Sequence, residues 1–556
     1  MEISEYFLPE KHLEIIKFLS TYYVCSLGEA ANLFIPFKQN TKTKSATVTP
    51  SITLSPEQSK AYEFLKEKDI SLLFGDTGSG KTEIYFKLFE DMINQGKTCI
   101  FLVPEISLTP QMTKRLKERF GDLVAIWHSK VTKKKKEEIL NDIYDDKIKI
   151  VMGARSSLFL PLKNPGLIVV DEEHDDSYKA NNRPRYNARD IAVFIGQKLS
   201  AKVVLGSATP SLTSYEKYPH FRLKKTFFKS HKEYEFLQNS DFITQKIFDE
   251  LKNTLDKNEQ AILFLPTRAN FKYLICKECG QGVKCPFCDV GMSLHRNSNA
   301  LKCHYCNYTE KIPTNCPSCK HDSLQVSRLG TAEVTKILTE MFPEKNIAQF
   351  DKDTVTTATK LKKILKDFND KKIDVLVGTQ MLSKGHDYHG VKLVVIFDID
   401  TILNMADYRS RWKAMSLLLQ VSGRVGRKGT GKVLVQSSNR EFFESYLDDF
   451  EEFLKDELEF CKDLYPPYKK LLKVLISDKN RDRAIKILTN IQEKLNQLDL
   501  ENIEIVGFGE APISKIAGKY RMQILLRSPS SKELLKVAHM LKDQGVEIDM
   551  DPISFS

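Results

Sequence analysis

Two stretches of the chain contain short apolar runs that alternate with helical segments. Between residues 54 and 218 the runs are SLLF, TCIFLV, IKIVMG, LIVVDE and KVVLGSATP. A second series follows with AILFLP, IAQFD, IDVLVGTQ, LVVIFDID and GKVLVQS. Continuous apolar runs between helices predict the strands of a parallel sheet that is covered on both faces. We therefore predict an α/β fold with two lobes, each built on a parallel sheet.

The segments outside these lobes show other patterns. Residues 1–37 read as a short helix, His12 to Thr21, with its connections, and a polar linker follows. From Leu471 the order of elements is strand, helix, strand, strand, helix, strand, which is the βαββαβ order of a ferredoxin-like unit. The expected divisions are an N-terminal segment with its linker (1–50), a first lobe (51–218), the first part of a second lobe (219–275), a cysteine-rich insertion (276–319), the second part of that lobe (320–440) and a C-terminal α+β domain (441–556).

Eight of the eleven cysteines form four CxxC pairs inside the second lobe. Four thiolates suit a closed tetrahedral zinc site, and one CxxC supplies two of them. The sequence CPFC…CHYC encloses fourteen residues that read as strand, turn, strand, with the turn at 297–299, as in a zinc ribbon. A redox dithiol is the alternative for one CxxC, but four in succession disfavour it. We expect two nested zinc sites: Cys285, Cys288, Cys303 and Cys306 inside, and Cys276, Cys279, Cys316 and Cys319 outside.

Charge and composition agree with an intracellular protein that binds nucleic acid. The formal charge is +11, and two tetrathiolate zinc sites, each with a net charge of −2, would lower it to +7. Moderate basicity fits a phosphate-backbone partner. We find no signal-peptide pattern and no apolar run of about 18 residues, so we expect a cytoplasmic protein without a membrane span. Thiols stay reduced there, which favours metal ligation over disulfides.

A phosphate-binding loop, GDTGSGKT, lies between the strand SLLF and a predicted helix. Its backbone N–H groups would converge on phosphates at the helix N-terminus. Lys81 would supply charge to the β- and γ-phosphates, and the Thr82 hydroxyl would ligate Mg²⁺. A glycine-rich turn without a ligand is the alternative, which the strand–helix context disfavours. The predicted ATP-binding residues here are Gly75, Asp76, Thr77, Gly78, Ser79, Gly80, Lys81 and Thr82.

Acidic and basic residues suited to phosphoryl transfer occur further along. The strand LIVV delivers Asp171 and Glu172 at its carboxyl end, where doubly wound sheets bind ligands. Asp171 would hold Mg²⁺ and Glu172 would activate water, whereas a helix-capping cluster of acids is the alternative. Arg424 and Arg427, three residues apart, would stabilise charge on the γ-phosphate from the second lobe. A surface basic patch is the alternative for these arginines.

The motifs GDTGSGKT, DEEH, GSATP, GTQMLSKGHD and QVSGRVGR, in this order, resemble those of superfamily-2 helicases. With the cysteine block and the YPPY segment, the chain from about Leu54 onward resembles the bacterial replication-restart helicases. The resemblance implies two RecA-like lobes and ATP-dependent 3′→5′ unwinding of DNA at stalled or repaired forks. It also implies the same zinc pairing. The cofactors would be ATP, Mg²⁺ and two Zn²⁺. The partners would be forked DNA, single-stranded DNA-binding protein, and primosome and helicase-loading proteins. We expect a nucleoid-associated monomer.

The resemblance also implies roles for single residues. Gln58 would sense adenine, Ser207 and Thr209 would couple hydrolysis to movement, and Thr379, Gly385 and Asp387 would contact nucleotide or DNA. Residues 174–190 resemble an aromatic-rich loop of the family. Aromatic rings beside cations can grip single strands without reading sequence. An ordered surface loop is the alternative. The candidate strand sensors in this loop are Tyr178, Lys179, Arg185 and Tyr186.

The N-terminal segment departs from the family pattern. Only Phe18–Pro36 resembles the end of the family's first DNA-binding domain, so we expect weakened recognition of fork ends. Phe18 and Tyr22 lie four residues apart on one helix face and could flank a hydrophobic slot. Arg521 would pair with carboxylates of the tail of single-stranded DNA-binding protein. Packing of Phe18 and Tyr22 into a local core is the alternative.

Three functions therefore compete. The first is a DNA helicase, the second an ATP-driven duplex translocase that does not separate strands, and the third a scaffold bound to forks. Intact Lys81, Asp171, Glu172 and Arg427 argue against the scaffold as the whole function.

Overall fold

The computed structural model divides the chain into two compact units. They comprise Met1–Phe228 with Phe450–Tyr468, and Lys229–Asp449 with Lys469–Ser556. Among the described residues, no helix combines the length and apolar character needed to cross a membrane. The described residues are 5–39, 46–49, 52–104, 110–224, 230–238, 243–266, 274–279, 281–288, 290–295, 300–303, 306, 308–326, 330–351, 353–382, 388, 390–405, 407–425, 429–498 and 502–555.

The first unit is built on a parallel sheet that confirms the first predicted lobe. Its strands are β1 Tyr6–Phe7, β2 Phe37–Lys38, β3 Ile70–Gly75, β4 Thr98–Leu102, β5 Val124–Trp127, β6 Ile150–Gly153, β7 Pro165–Asp171, β8 Lys202–Ser207 and β9 His220–Leu223. Its helices are α1 Glu10–Tyr22, α2 Leu27–Ala31, α3 Pro56–Glu67, α4 Lys81–Asn94, α5 Pro110–Phe120, α6 Lys133–Tyr144, α7 Ala188–Leu199 and α8 Leu212–Lys217. The sheet has the spatial order β5-β6-β4-β7-β8-β3-β9, and every pairing in it is parallel. Strand β4 is buried along its whole length, as its continuous apolar run predicted.

The part of the second unit up to Asp449 contains the second parallel sheet and the cysteine-rich insertion. Its strands are β10 Ser230–Leu237, β11 Gln260–Phe264, β12 Leu274–Cys276, β13 Ser293–His295, β14 Ala300–Lys302, β15 Thr309–Lys311, β16 Leu324–Val326, β17 Ile347–Phe350, β18 Val375–Gly378, β19 Val391–Ile396 and β20 Gly429–Gln436. Its helices are α9 Gln245–Asp256, α10 Thr331–Met341, α11 Ala358–Asn369, α12 Asp400–Leu403, α13 Ser410–Ser422 and α14 Arg440–Glu444. The parallel sheet has the order β10-β20-β19-β11-β18-β17, and the insertion forms two small separate sheets, β12-β16 and β13-β14-β15.

Helix α15, Phe450–Cys461, packs in the first unit although it follows the second sheet in sequence. The Tyr215 hydroxyl donates to the Glu451 carboxylate at 3.0 Å, and the rings of Phe74 and Phe450 lie 6.3 Å apart. The Tyr468 hydroxyl extends the contact by donating to Glu216 at 3.3 Å. The predicted start of the C-terminal domain at residue 441 stays a proposal. Helix α15 lies after that boundary in sequence but packs with elements of the first unit.

The remaining C-terminal segment has the predicted ferredoxin-like order. Its elements are β21 Lys470–Asp478, α16 Arg481–Asn496, β22 Glu504–Ile516, β23 Lys519–Ser528, α17 Ser531–Leu541 and β24 Glu547–Met550. The strands form an antiparallel sheet in the order β22-β23-β21-β24. The first and third strands of this segment, β21 and β23, are therefore neighbours at the centre of the sheet, as the ferredoxin-like topology requires. The predicted fold class is confirmed in all its parts.

Candidate ATP and zinc sites

The phosphate-binding loop connects β3 with α4. Gly80 has φ +85°, a left-handed conformation that favours glycine, and a Cβ there would clash with the side-chain amide of Gln58. Gly80 is also the N-cap of α4 and offers no side chain to cap it. Because no side chain caps α4, its N-terminus can offer backbone N–H groups to an anion, as the sequence predicted.

Polar groups within the loop fit a phosphate ligand. The Lys81 ammonium donates to the Gly75 carbonyl at 2.5 Å, which holds its charge over the loop. The Ser79 hydroxyl is buried and has no hydrogen-bond partner among the described residues. A buried polar atom of this kind is ordinarily satisfied by a ligand, water or ion. The residues present therefore fit ATP, although their individual roles stay predictions.

Strand register brings the acidic motif to the loop's edge of the sheet. Asp171 of β7 lies opposite Gly206 of β8, and Ser207 lies opposite Phe74 of β3. The Tyr85 hydroxyl of α4 donates to the Asp171 carboxylate at 3.2 Å. A Cβ at Gly206 would clash with this hydroxyl, which explains the glycine of GSATP.

Electrostatics around Asp171 favour a bound cation. Burial by surrounding protein atoms and the neighbouring Glu172 carboxylate raise the pKa of Asp171 above its usual range, while Lys81 acts in the opposite direction. A divalent cation at this carboxylate would offset both unfavourable effects. Asp171 therefore fits the predicted Mg²⁺ ligand. Glu172 has φ +49°, a strained conformation for a residue with a side chain, at the turn that ends β7.

The third acid of the motif has a structural position. Glu173 is buried and accepts hydrogen bonds from the Ser211 N–H at 2.7 Å and the Ser214 hydroxyl at 2.7 Å. The Arg189 guanidinium lies 3.2 Å from its carboxylate. These contacts fix the N-terminus of α8. The helix-capping alternative therefore applies to Glu173, whereas Asp171 contacts the Tyr85 hydroxyl and Glu172 lies 3.7 Å from His174.

A direct contact joins the DEEH and GSATP motifs. His174 Nδ1 lies 2.7 Å from the Ser207 hydroxyl, and Ser207 accepts from the Thr209 N–H at 2.9 Å. Ser207 and Thr209 are both buried. The predicted coupling role of these two residues has a physical path to the acidic motif, and it stays a prediction.

Gln58 lies against the phosphate loop. Ser55 and Gln58 form a capping box at the start of α3. The Gln58 side-chain amide also donates to the Ser79 and Gly80 carbonyls at 3.3 and 3.4 Å. Its predicted contact with adenine stays a prediction.

The proposed strand-sensing loop departs from the sequence-based expectation. Tyr178 is 1% exposed and Tyr186 is 6% exposed, so neither ring can stack on a DNA base in this conformation. The Tyr178 hydroxyl instead donates to the Asp171 carbonyl at 2.6 Å. Tyr186 packs against Phe159 with ring centroids 5.4 Å apart. Stacking of these rings on a strand would require the loop to open, and their strand-sensing role stays a prediction.

The N-terminal segment covers the buried side of this loop. Lys179 is buried, and its ammonium lies 5.7 Å from the ring centre of Tyr23. Its predicted role as a strand sensor stays a prediction. Arg183 at the exposed tip donates to the Val24 carbonyl at 3.1 Å. Arg185 is half-buried and donates to the Asn181 carbonyl at 3.2 Å. Contact between Arg185 and DNA stays a prediction.

The second lobe contains the remaining motif residues. Thr379 follows β18, Arg424 follows α13, and both are buried. Gly385, Asp387 and Arg427 lie outside the described residues. The roles predicted for all five stay predictions.

The eight CxxC cysteines form two separate clusters with the predicted nested pairing. The outer cluster is Cys276, Cys279, Cys316 and Cys319, and the inner cluster is Cys285, Cys288, Cys303 and Cys306. Within each cluster the sulfur atoms lie within 4.8 Å of one another. Four thiol groups at this separation suit tetrahedral zinc, which supplies structural cross-linking when bound. The two predicted zinc sites are confirmed.

The four cysteine pairs share one backbone geometry. In each pair the N–H of the first cysteine donates to the carbonyl five residues later. The bonds are Cys276 to Gln281 at 3.0 Å, Cys285 to Val290 at 2.9 Å, Cys303 to Tyr308 at 2.7 Å and Cys316 to His321 at 2.9 Å. The repeated turn directs both sulfur atoms of a pair to one side, which explains why CxxC spacing predicted ligation.

The residues proposed to bind a partner lie in different units. The Phe18 ring stacks on Tyr22 at 5.3 Å and on Phe194 of α7 at 3.8 Å. Both N-terminal rings are half-buried, so they contribute to local packing. The Arg521 guanidinium donates to the Ile513 carbonyl at 3.3 Å.

Several site residues escaped prediction from the sequence. Tyr85, His174 and Arg222 all contact the motifs, and the Arg222 guanidinium lies 2.8 Å from the Asp76 carboxylate. Arg222 also lies 3.7 Å from the ring centre of Phe74. The position of His174 within DEEH was a signal for its role. Tyr85 and Arg222 have no comparable motif.

Two parallel-sheet lobes with these motifs define an ATP-dependent helicase. Four family models match: DEAD/DEAH box helicase (55–218), helicase conserved C-terminal domain (317–429), PriA DNA helicase Cys-rich region domain (285–311) and primosomal protein N C-terminal domain (463–553). The replication restart protein PriA of Helicobacter pylori is 42% identical over all of this chain and 90% of its own length. The proteins of that name from Rickettsia felis and Bacillus subtilis are 37% and 34% identical, over 98% and 91% of this chain and 88% and 67% of their own lengths. The chain belongs to the replication restart protein PriA family.

Replacing Lys81 with Ala or Glu172 with Gln should lower DNA-stimulated ATP hydrolysis by about a hundredfold or more, because general acid–base and charge contributions are of this size. DNA binding should be largely retained, since both groups face the nucleotide site. Steady-state hydrolysis and DNA-binding titrations provide the two measurements.

Glu173→Gln is the matched control for Glu172→Gln. It makes the same chemical change at the neighbouring acid and should lower thermal stability while hydrolysis persists. Substantial hydrolysis by Lys81→Ala would contradict the assignment of the phosphate loop.

Metal analysis of the purified chain should find two zinc ions. Cys285→Ser should lose one ion and disorder the inner ribbon, because small metal sites hold their local fold together. Cys25→Ser, at a buried cysteine outside the clusters, should keep both ions. A single ion in the wild-type chain would contradict the two-site assignment.

Proposed function

We propose that this chain unwinds DNA in the 3′→5′ direction at stalled or repaired replication forks, so that the replicative helicase can be reloaded. The observation that carries the proposal is the register that places Asp171 and Ser207 on the sheet edge of the phosphate loop. Membership of the PriA family supports the fork as the site of action.

Each catalytic side chain has a chemical role in the proposal. Lys81 binds the β- and γ-phosphates and Thr82 and Asp171 hold Mg²⁺, which neutralises developing charge when bound. Glu172 orients and deprotonates the attacking water. His174 lies between this acid and Ser207: its ring nitrogen is 3.7 Å from the Glu172 carboxylate and 2.7 Å from the Ser207 hydroxyl. A change at the hydrolytic site would therefore move Ser207.

The proposed grip on DNA is electrostatic and independent of sequence. The chain carries a formal charge of +11, and backbone phosphates are the natural partner for such a surface. Arg183 at the tip of the 174–190 loop is half-exposed and lies in the same segment as Tyr178. Because Tyr178 donates to the Asp171 carbonyl, a strand at the tip would be linked mechanically to the Mg²⁺ ligand.

A duplex translocase that does not separate strands is the second candidate function. It would share the same ATP site, so the site alone does not distinguish it. We propose that the cysteine-rich insertion acts as a strand-separating wedge and as a docking surface for partners; a translocase that leaves the duplex intact would not need the wedge.

Partial duplexes with one single-stranded tail test the proposed polarity. With ATP, the chain should displace the complementary strand from the substrate that has a 3′ single-stranded tail. It should leave the duplex with a 5′ tail largely intact. Glu172→Gln should bind both substrates and unwind neither. Binding should weaken steeply with added salt because counterions are released on phosphate contact.

Displacement of a triplex-forming strand without duplex unwinding would favour the translocase instead. Efficient unwinding of the 5′-tailed substrate alone would contradict the proposed direction.

We also propose protein partners in replication restart, namely single-stranded DNA-binding protein, primosome proteins and helicase loaders. The acidic tail of single-stranded DNA-binding protein suits a cationic side chain, and Arg521 is half-buried on β23. Phe18 and Tyr22 offer apolar surface, although their stacking also serves local packing. Association with DNA would place the protein at the nucleoid.

Arg521→Glu should weaken binding of the tail peptide by about tenfold or more, because a charge-assisted hydrogen bond becomes a repulsion. Fluorescence anisotropy of a labelled peptide measures this. Arg483→Glu is the matched control, since its side chain is 74% exposed on α16 of the same domain. Equal binding by Arg521→Glu and wild type would remove Arg521 from the partner site.

A further inference from the structure

The β22–β23 hairpin of the C-terminal domain ends in an unusual two-residue turn. Ile516 pairs with Lys519 across the hairpin, and Ala517 and Gly518 form the turn with φ +49° and +76°. Two positive φ values match the twist of a tight hairpin, but alanine adopts this conformation at a cost of about 1–2 kcal/mol. The central N–H groups of such a turn have no partner within the hairpin. Both can therefore donate to water or to another part of the protein.

Both turn amides donate to the inner zinc knuckle. The Ala517 N–H donates to the Cys288 sulfur at 3.0 Å, and the Gly518 N–H donates to the Phe287 carbonyl at 2.7 Å. The Lys515 ammonium adds a third hydrogen bond, to the Pro286 carbonyl at 3.3 Å. The contact joins residues 229 positions apart in sequence.

Apolar packing accompanies these hydrogen bonds. Ile516 packs against the buried cluster of the inner ribbon, which includes Cys288, Met292 and Leu301. Cys288 is 1% exposed. The hairpin therefore donates to a ligand that is buried within the ribbon.

The outer site is supplied differently. Its Cys276 sulfur lies 3.2 Å from the hydroxyl of Ser323, a residue at the edge of the same insertion. Only the inner site takes a donor from the C-terminal domain among the contacts of the described cysteines. Donors to metal-bound sulfur orient the ligand and stabilise its charge, and their loss typically lowers metal affinity by about 10- to 100-fold.

We propose that the β22–β23 hairpin is a clasp on the inner zinc site, with Ala517 as a positioning residue for the Cys288 thiolate. The hairpin retains the inner ion, and the occupied inner knuckle retains the hairpin. The C-terminal domain is thereby anchored to the cysteine-rich insertion through one metal site. This inference rests on the zinc sites and is independent of the direction of unwinding.

Zinc release to a chromophoric chelator tests the first half of the clasp. Ala517→Pro in the full chain removes the N–H and forces φ to about −65°, so it undocks the turn. The inner ion, followed alone in a Cys279→Ser background, should then leave about tenfold faster or more. Ala517→Gly keeps the amide, suits the left-handed turn and should leave the release rate unchanged.

The outer ion is an internal control for misfolding. In a Cys288→Ser background, Ala517→Pro should not change its release rate. Equal acceleration of both ions, or no acceleration of the inner ion, would overturn the proposal.

Hydrogen exchange tests the second half without any change in the hairpin. Cys306→Ser, which removes an inner ligand but keeps the Cys288 sulfur as acceptor, should speed exchange at the Ala517 and Gly518 amides by about tenfold or more. Cys279→Ser, the matched change in the outer site, should leave these amides protected. Unchanged protection in Cys306→Ser, or equal loss in both variants, would show that the metal does not hold the hairpin.

Discussion

The lateral register of three parallel strands is the constraint on which the ATP site depends. Because β3, β8 and β7 are neighbours and run in one direction, their carboxyl ends lie on one edge of the sheet. The phosphate loop follows β3, the Ser207 motif ends β8 and Asp171 ends β7. A shift of one residue in any strand would separate the groups that we propose to act together at the ATP site.

Some residues at this edge of the sheet both pack in the core and contact the candidate ATP site. Tyr85 is a buried core residue of α4, yet its hydroxyl donates to Asp171 and occupies the space that a larger residue at Gly206 would need. Tyr178 is buried too, and it ties the 174–190 loop to the same aspartate. Movement of nucleotide-bound groups can therefore reach the surface loop through few contacts. In the zinc module, too, one residue has two contacts: the inner ligand Cys288 also accepts a hydrogen bond from the Ala517 N–H of the distant hairpin.

Local patterns in the sequence predicted the features that local spacing determines. The parallel strands, the phosphate loop, the βαββαβ order and the nested cysteine pairs each depend on residues close together or on repeated turns. The burial of Tyr178 and Tyr186 was not predicted, because it depends on tertiary contacts with Asp171 and Phe159 that an aromatic-rich segment does not reveal. The return of α15 to the first unit and the contact of Ala517 with Cys288 depend on tertiary structure alone. No spacing rule connects residues 229 positions apart.

The Mg²⁺ dependence of nucleotide binding tests the central claim most directly. A non-hydrolysable ATP analogue should bind wild type far more tightly with Mg²⁺ than with a chelator present. In Asp171→Asn the ratio of the analogue's affinity with Mg²⁺ to its affinity with the chelator should be at least about tenfold smaller than in wild type. The reason is that the substitution removes the anionic ligand at the edge of the sheet. An unchanged ratio in Asp171→Asn would contradict the assignment of this edge as the Mg²⁺–ATP site.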